Sequence, residues 1–192
     1  EQNSSNNQNK CFNWFEPGDI TRGQGEALSI YNMVMSLSGK IDTNRVFVTG
    51  LSAGAYMATV MIATYPDLFS AASINAGGPY KCATTMTDAF TCMRADINKT
   101  DGEWKALVPA NTKKPKVIVF QGASDYTVYP GNADDLVAQW TGVHGTDKTA
   151  DATDTNIGGH THTVYNGTDG KPVVEVYMIT GMGHSITVDP GT

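Results

Sequence analysis

Apolar positions along the chain follow two periods. Ala27, Ile30, Tyr31, Val34 and Leu37 recur at helical spacing and predict a helix over 26–38. A short apolar run at 46–49 predicts a buried strand. Residues 53–64 are apolar nearly all round, which predicts a central helix packed on both sides and ended by Tyr65-Pro66-Asp67. "FSAASINAG" (69–77) and "KVIVFQG" (116–122) read as strands, and "NADDLVAQW" (132–140) as a helix with Asn132 at its N-cap. Residues 160–181 read as a hairpin around "NGTDGK" that ends in a strong strand. Two stretches show no clear period: 79–112, read as an irregular excursion, and 144–160, read as a polar loop. Strands alternating with helices predict one α/β domain over residues 1–192 with a mostly parallel sheet flanked by helices.

Composition narrows this picture. With 40% hydrophobic and 17% charged residues in 192, the chain has ordinary globular make-up and enough length for one core. A formal charge of −6 without a Lys/Arg block argues against nucleic acid or an anionic membrane as partner. No apolar run is long enough to span a bilayer, and the polar, Asn/Gln-rich residues 1–10 do not resemble a secretory signal. Cys11, Cys82 and Cys92 fit no zinc spacing; they read either as inert buried thiols or as one pair plus one cysteine. Sequons at Asn3, Asn98 and Asn166 permit secretion.

The chemistry centres on Gly50-Leu51-Ser52-Ala53-Gly54, a G-x-S-x-G sequence set between a predicted strand and a predicted helix. A turn that sharp lifts the Ser52 hydroxyl above the sheet and aims the Ala53 N–H at the same space, where an oxyanion would develop. A serine hydroxyl needs a base, and the base needs an orienter. Of four histidines, only His184 lies in a glycine-framed loop ("GMGH") directly after a strong strand; His144, His160 and His162 read as solvated loop residues. Asp125 sits three residues past Gly122 at the end of its strand, whereas Asp134 and Asp135 read as a solvated helix face or as acids of its first turn. His160-x-His162 has no third ligand nearby, so no metal site is expected. Ser52, Asp125, His184 is the chain order of the α/β-hydrolases.

"FVTGLSAGAYMATVMIATYPDLF", "GGPYKCA", "QGASDYTVYPGNADDLVAQW", "GMGH" and "CFNWFEPGDITRGQGEALSI" together resemble the polyhydroxybutyrate (PHB) depolymerase family of esterases, related to the feruloyl and acetylxylan esterases of carbohydrate esterase family 1. The likeness runs over roughly residues 8–188. It implies that Ser52 attacks an ester carbonyl, that His184 moves the proton, that Asp125 holds the imidazole, and that the Ala53 N–H forms half of an oxyanion hole. It also implies a crevice aromatic at Trp14 and, more weakly, at Tyr80; read from the residues alone, Trp14 fits a packed core aromatic nearly as well. Cys82 and Cys92 are implied to pair, which suits an oxidising, extracellular setting.

The family's pattern includes further strands and a His-Gly-Cys turn ahead of "CFNW", which carries the second oxyanion donor and implies a partner for Cys11. Residues 1–10 hold neither. The 192 residues are therefore expected to be part of a longer protein or to pair with another segment, leaving the 46–49 strand with an open edge and apolar helix faces without cover. The expected function is a secreted serine esterase that needs no cofactor and acts on a polyester or a plant cell-wall feruloyl or acetyl ester. A serine peptidase on the same scaffold and a non-catalytic polymer-binding fragment are the competing readings.

Overall fold

The computed structural model describes residues 2–187. Six strands form one sheet in the order β1-β2-β3-β6-β5-β4: β1 (Val46–Leu51), β2 (Phe69–Asn75), β3 (Lys116–Gly122), β4 (Ala152–Ile157), β5 (His160–Asn166) and β6 (Pro172–Ile179). The first three and β6 are parallel, while β5 and β4 continue the sheet antiparallel. The described residues form five helices: α1 (Gly25–Met35), α2 (Ala53–Thr64), α3 (Met86–Met93), α4 (Asp101–Ala106) and α5 (Gly131–His144).

The three crossovers β1-α2-β2, β2-α3-α4-β3 and β3-α5-β4-β5-β6 all step the same way across the sheet. Right-handed crossovers that step the same way place their helices on the same face. That face is the core: Ala72, Ile74, Val117, Val119, Val174 and Val176 are buried beneath α2 and α5. Every residue of α2 from Ala55 to Thr64 is buried, because the other side of the helix is covered by α1 and the segment before it. Trp14 stacks on Tyr56 at 3.9 Å and Tyr31 on Tyr65 at 4.5 Å.

The opposite face carries no helix among the described residues. It displays Phe47, Leu51, Ile118, Phe120 and Tyr177, with Phe47 62% exposed. Phe120, Tyr177 and His162 stack across β3, β6 and β5, and His162 Nε2 lies 2.8 Å from Glu175 Oε2. The outer edge of β1 has no partner strand among the described residues. The open edge thus lies where it was expected; the surface without cover includes a sheet face as well as Met33 on α1 and Met86 and Phe90 on α3, while α2 is buried.

Several local expectations change. The 79–112 stretch contains α3 and α4, capped by Thr85 and by a full Thr100/Glu103 capping box. The polar loop at 144–160 contains β4, an exposed edge strand paired only with β5. Asn132 is not an N-cap: α5 begins after Pro130, and the buried Asn132 amide donates to the carbonyls of Met93 and Tyr129. Cys82 and Cys92 are joined in a disulfide and Cys11 is free.

Candidate active site

The Gly50–Gly54 turn forces β1 into α2 without a spare residue. Ser52 takes φ 57°, ψ −124°, a left-handed conformation that an L-residue adopts only under constraint. Gly50 makes that approach possible, since a Cβ there would overlap the carbonyl of Gly54. The Ser52 N–H donates to Asn75 O at 3.1 Å, and the Asn75 side chain donates to Gly50 O at 3.0 Å, so the end of β2 holds the turn from both sides. Among the described residues the Ala53 N–H has no hydrogen-bond partner, and the Ser52 hydroxyl does not cap the helix. A donor at the start of a 12-residue helix is thus free to meet negative charge.

The candidate acid and base, Asp125 and His184, follow the ends of β3 and β6. Asp125 is 1% exposed. Its Oδ1 accepts from the backbone of Thr127 at 2.8 Å and Val128 at 2.9 Å, so the loop folds round its own carboxylate. Its Oδ2 lies 2.8 Å from His184 Nδ1. With Nδ1 occupied, Nε2 is the ring nitrogen left to deal with a hydroxyl. Gly122 lets the two loops meet: a Cβ there would overlap the carbonyls of Met182 and Gly183, and Ser124 N donates to Met182 O at 2.9 Å. No hydrogen bond joins Ser52 to His184 among the described residues; in substrate-free sites such bonds are often long and tighten on binding.

The remaining candidates lie elsewhere. Trp14 and Tyr80 are 6% and 2% exposed, so both are core residues here rather than crevice aromatics. Tyr80 donates its hydroxyl to Ile20 O, and its backbone is gripped by the Gln139 amide. The other histidines are anchors rather than solvated residues. His144 Nε2 pairs with Pro115 O at 2.9 Å, and burial lowers its pKa; His160 Nδ1 accepts from Thr180 N. Among the described residues, no group of three or more His, Cys, Asp or Glu is placed to hold a metal, and no helix is long and apolar enough to cross a membrane.

Sequence reasoning passed over Tyr126 and Tyr129. They lie one and four residues past Asp125, are exposed, and pack edge to face at 6.4 Å. The alternating "DYTVY" was the available signal, but it reads equally as a strand end. Phe90 and Met86 on α3 are exposed as well, and α3 is tied to the acid loop by Tyr129 N donating to Met93 O at 2.8 Å.

A serine elbow between strand and helix, with a carboxylate–imidazole pair at the ends of later parallel strands, defines an α/β-hydrolase. Residues 1–165 match the esterase PHB depolymerase family, and the chain belongs to it. It is 58% identical over 199 residues to poly(3-hydroxyalkanoate) depolymerase C of Paucimonas lemoignei, which covers 100% of this chain and 48% of that protein. Feruloyl esterase B of Talaromyces stipitatus is 33% identical over 193 residues, covering 93% of this chain and 53% of its own. The solved structure of an acetyl xylan esterase from Aspergillus awamori aligns with a TM-score of 0.83 at 30% identity, over 93% of this chain and 69% of that one. The chain spans about half the length of the first two relatives.

Proposed function

We propose that the protein is a serine carboxylic ester hydrolase that works through an acyl-enzyme. The observation that carries this reading is the Asp125–His184 pair at 2.8 Å, set at the same end of the sheet as the strained Ser52. Ser52 Oγ attacks the ester carbonyl as its proton passes to His184 Nε2. The Ala53 N–H takes the developing oxyanion. Collapse expels the alcohol, which leaves with the proton from His184. Water then attacks the acyl-serine, again giving its proton to His184, and the acid departs with Ser52 restored. Asp125 fixes the imidazole and stabilises its charged form. The chemistry calls for no metal or organic cofactor.

The substrate we assign is a polyhydroxyalkanoate-type polyester. Support comes from the 58% identity to a poly(3-hydroxyalkanoate) depolymerase and from the exposed Tyr126 and Tyr129 beside the acid, which suit an apolar chain. The Cys82–Cys92 disulfide supports an extracellular setting. The open edge of β1, next to the Ser52 turn, supports a second oxyanion donor supplied by a segment outside these residues. The test is hydrolysis of p-nitrophenyl acetate and butyrate, with fluorophosphonate labelling, for the chain and for Ser52→Ala. Labelling and turnover that vanish in the variant are expected. Equal rates for both proteins would overturn the reading.

A further inference from the structure

Gln121, the penultimate residue of β3, is wholly buried on the core face of the sheet directly behind the acid loop. Its Nε2 donates toward Val128 O at 3.0 Å, Gly122 O at 3.3 Å and Asp125 Oδ2 at 3.4 Å. Among the described residues its buried Oε1 meets no hydrogen-bond donor. The surroundings dictate this orientation. Three acceptors and no donor face the amide nitrogen, so a flipped amide would turn its oxygen onto three other oxygens. A buried amide oxygen left unpaired is a standing cost that Met or Leu in the same space would avoid. What Nε2 does must offset it.

From this geometry we infer that Gln121 is a positioning residue that fixes the plane of the Asp125 carboxylate and, through it, the His184 ring. The carboxylate's four acceptor sites are otherwise nearly filled. Oδ1 takes Thr127 N and Val128 N, and Oδ2 takes His184 Nδ1, which leaves one site on Oδ2. Gln121 fills it. The same amide holds Val128 O while Val128 N holds Oδ1, so the acid is clamped from the loop in front and from the strand behind. Without that clamp the carboxylate is free to rock, and the imidazole rocks with it. The inference rests on the esterase reading for its consequence but not for its geometry.

The test compares Gln121→Met, which keeps the shape and removes the donor, with Gln121→Glu and with Gln139→Met. Gln139 is the control: equally buried, with its amide bonded to Tyr80 and Trp104 instead of to Asp125. The readouts are the low-field proton resonance of His184 Nδ1–H, the fluorophosphonate rate at Ser52, and kcat against KM for p-nitrophenyl butyrate. Gln121→Met is expected to shift or broaden the resonance and to slow phosphonylation and kcat about ten- to a hundredfold, with KM little changed. Gln139→Met is expected to lower stability and leave the resonance and the rates within about twofold of wild type. In Gln121→Glu only the protonated acid has an O–H to donate, so its rate relative to wild type should rise as pH falls from about 8 to about 5. This variant keeps the test open if Gln121→Met does not fold. An unmoved resonance in Gln121→Met, equal effects from Gln139→Met, or a flat Gln121→Glu ratio would each overturn the inference. A wild-type chain that resists phosphonylation would sink the esterase reading, while the resonance would still judge Gln121.

Discussion

The two glycines that flank Ser52 have different duties. A Cβ at Gly50 would overlap the backbone of Gly54 and Ala55, whereas one at Gly54 would meet nothing within 4 Å. Gly50→Ala is therefore expected to cost about 1–3 kcal/mol or more in denaturant unfolding and to abolish labelling of Ser52. Gly54→Ala should fold normally. Another prediction concerns Asp135 on α5, which burial raises from 3.8 to about 6, partly countered by the Trp104 indole. An acid with a folded value above its unfolded one binds its proton more tightly in the folded state. Stability is then lost as pH climbs from about 4 through 6, and the penalty is complete above that. Asp135→Asn should raise Tm at about pH 7.5 and converge with wild type near pH 4. Because the group is half-exposed, the gain is no more than about 1 kcal/mol.

At the scale of elements, the disulfide links function to a helix that touches no reacting atom. Cys92 lies on α3, and the carbonyl of Met93, next along, receives both Tyr129 N and the Asn132 amide. Opening this ten-residue separation is expected to cost about 2–3 kcal/mol and to loosen the acid loop, so a thiol reductant should lower Tm and slow phosphonylation of Ser52 together. A fall in Tm with unchanged labelling kinetics in still-folded protein would separate the two. Legibility in the sequence also varied by element. α2 and β3 were readable to the residue because each is long, apolar and bounded by breakers. The ends bearing Ser52, Asp125 and His184 were readable because each follows such an element. α3 and α4 have eight and six residues, too few for a period to show; Thr85-x-x-Asp88 and Thr100-x-x-Glu103 were the only signals. β4 is wholly exposed, so no alternation of burial is imprinted on it. Gln121 was hidden in a strand that scored as apolar, because one buried polar residue does not disturb a period.

For the molecule as a whole, helices confined to one face among the described residues leave an apolar sheet surface and a bare strand edge side by side. Such edges template pairing with other chains. The 192-residue chain should therefore self-associate with rising concentration in light scattering, and Phe47→Lys, which puts charge at the exposed edge, should reduce this without touching the acid–base pair. A monodisperse monomer at high concentration would show that the edge is protected in solution. The core side argues the other way for Trp14: deeply packed against Tyr56, it should cost about 3–5 kcal/mol on truncation to Ala, a loss of folding rather than of substrate affinity.

Gly122 ends the acid's strand and lies against the backbone of the base's loop. Every single-nucleotide change of a glycine codon that alters the residue adds at least a Cβ, so variation at this position has no small step. The loops of Asp125 and His184 are thereby constrained together. A library that randomises the loop around His184 while keeping Gly122 should yield active clones with altered preference. One that randomises residue 122 should yield almost none, however well its members express.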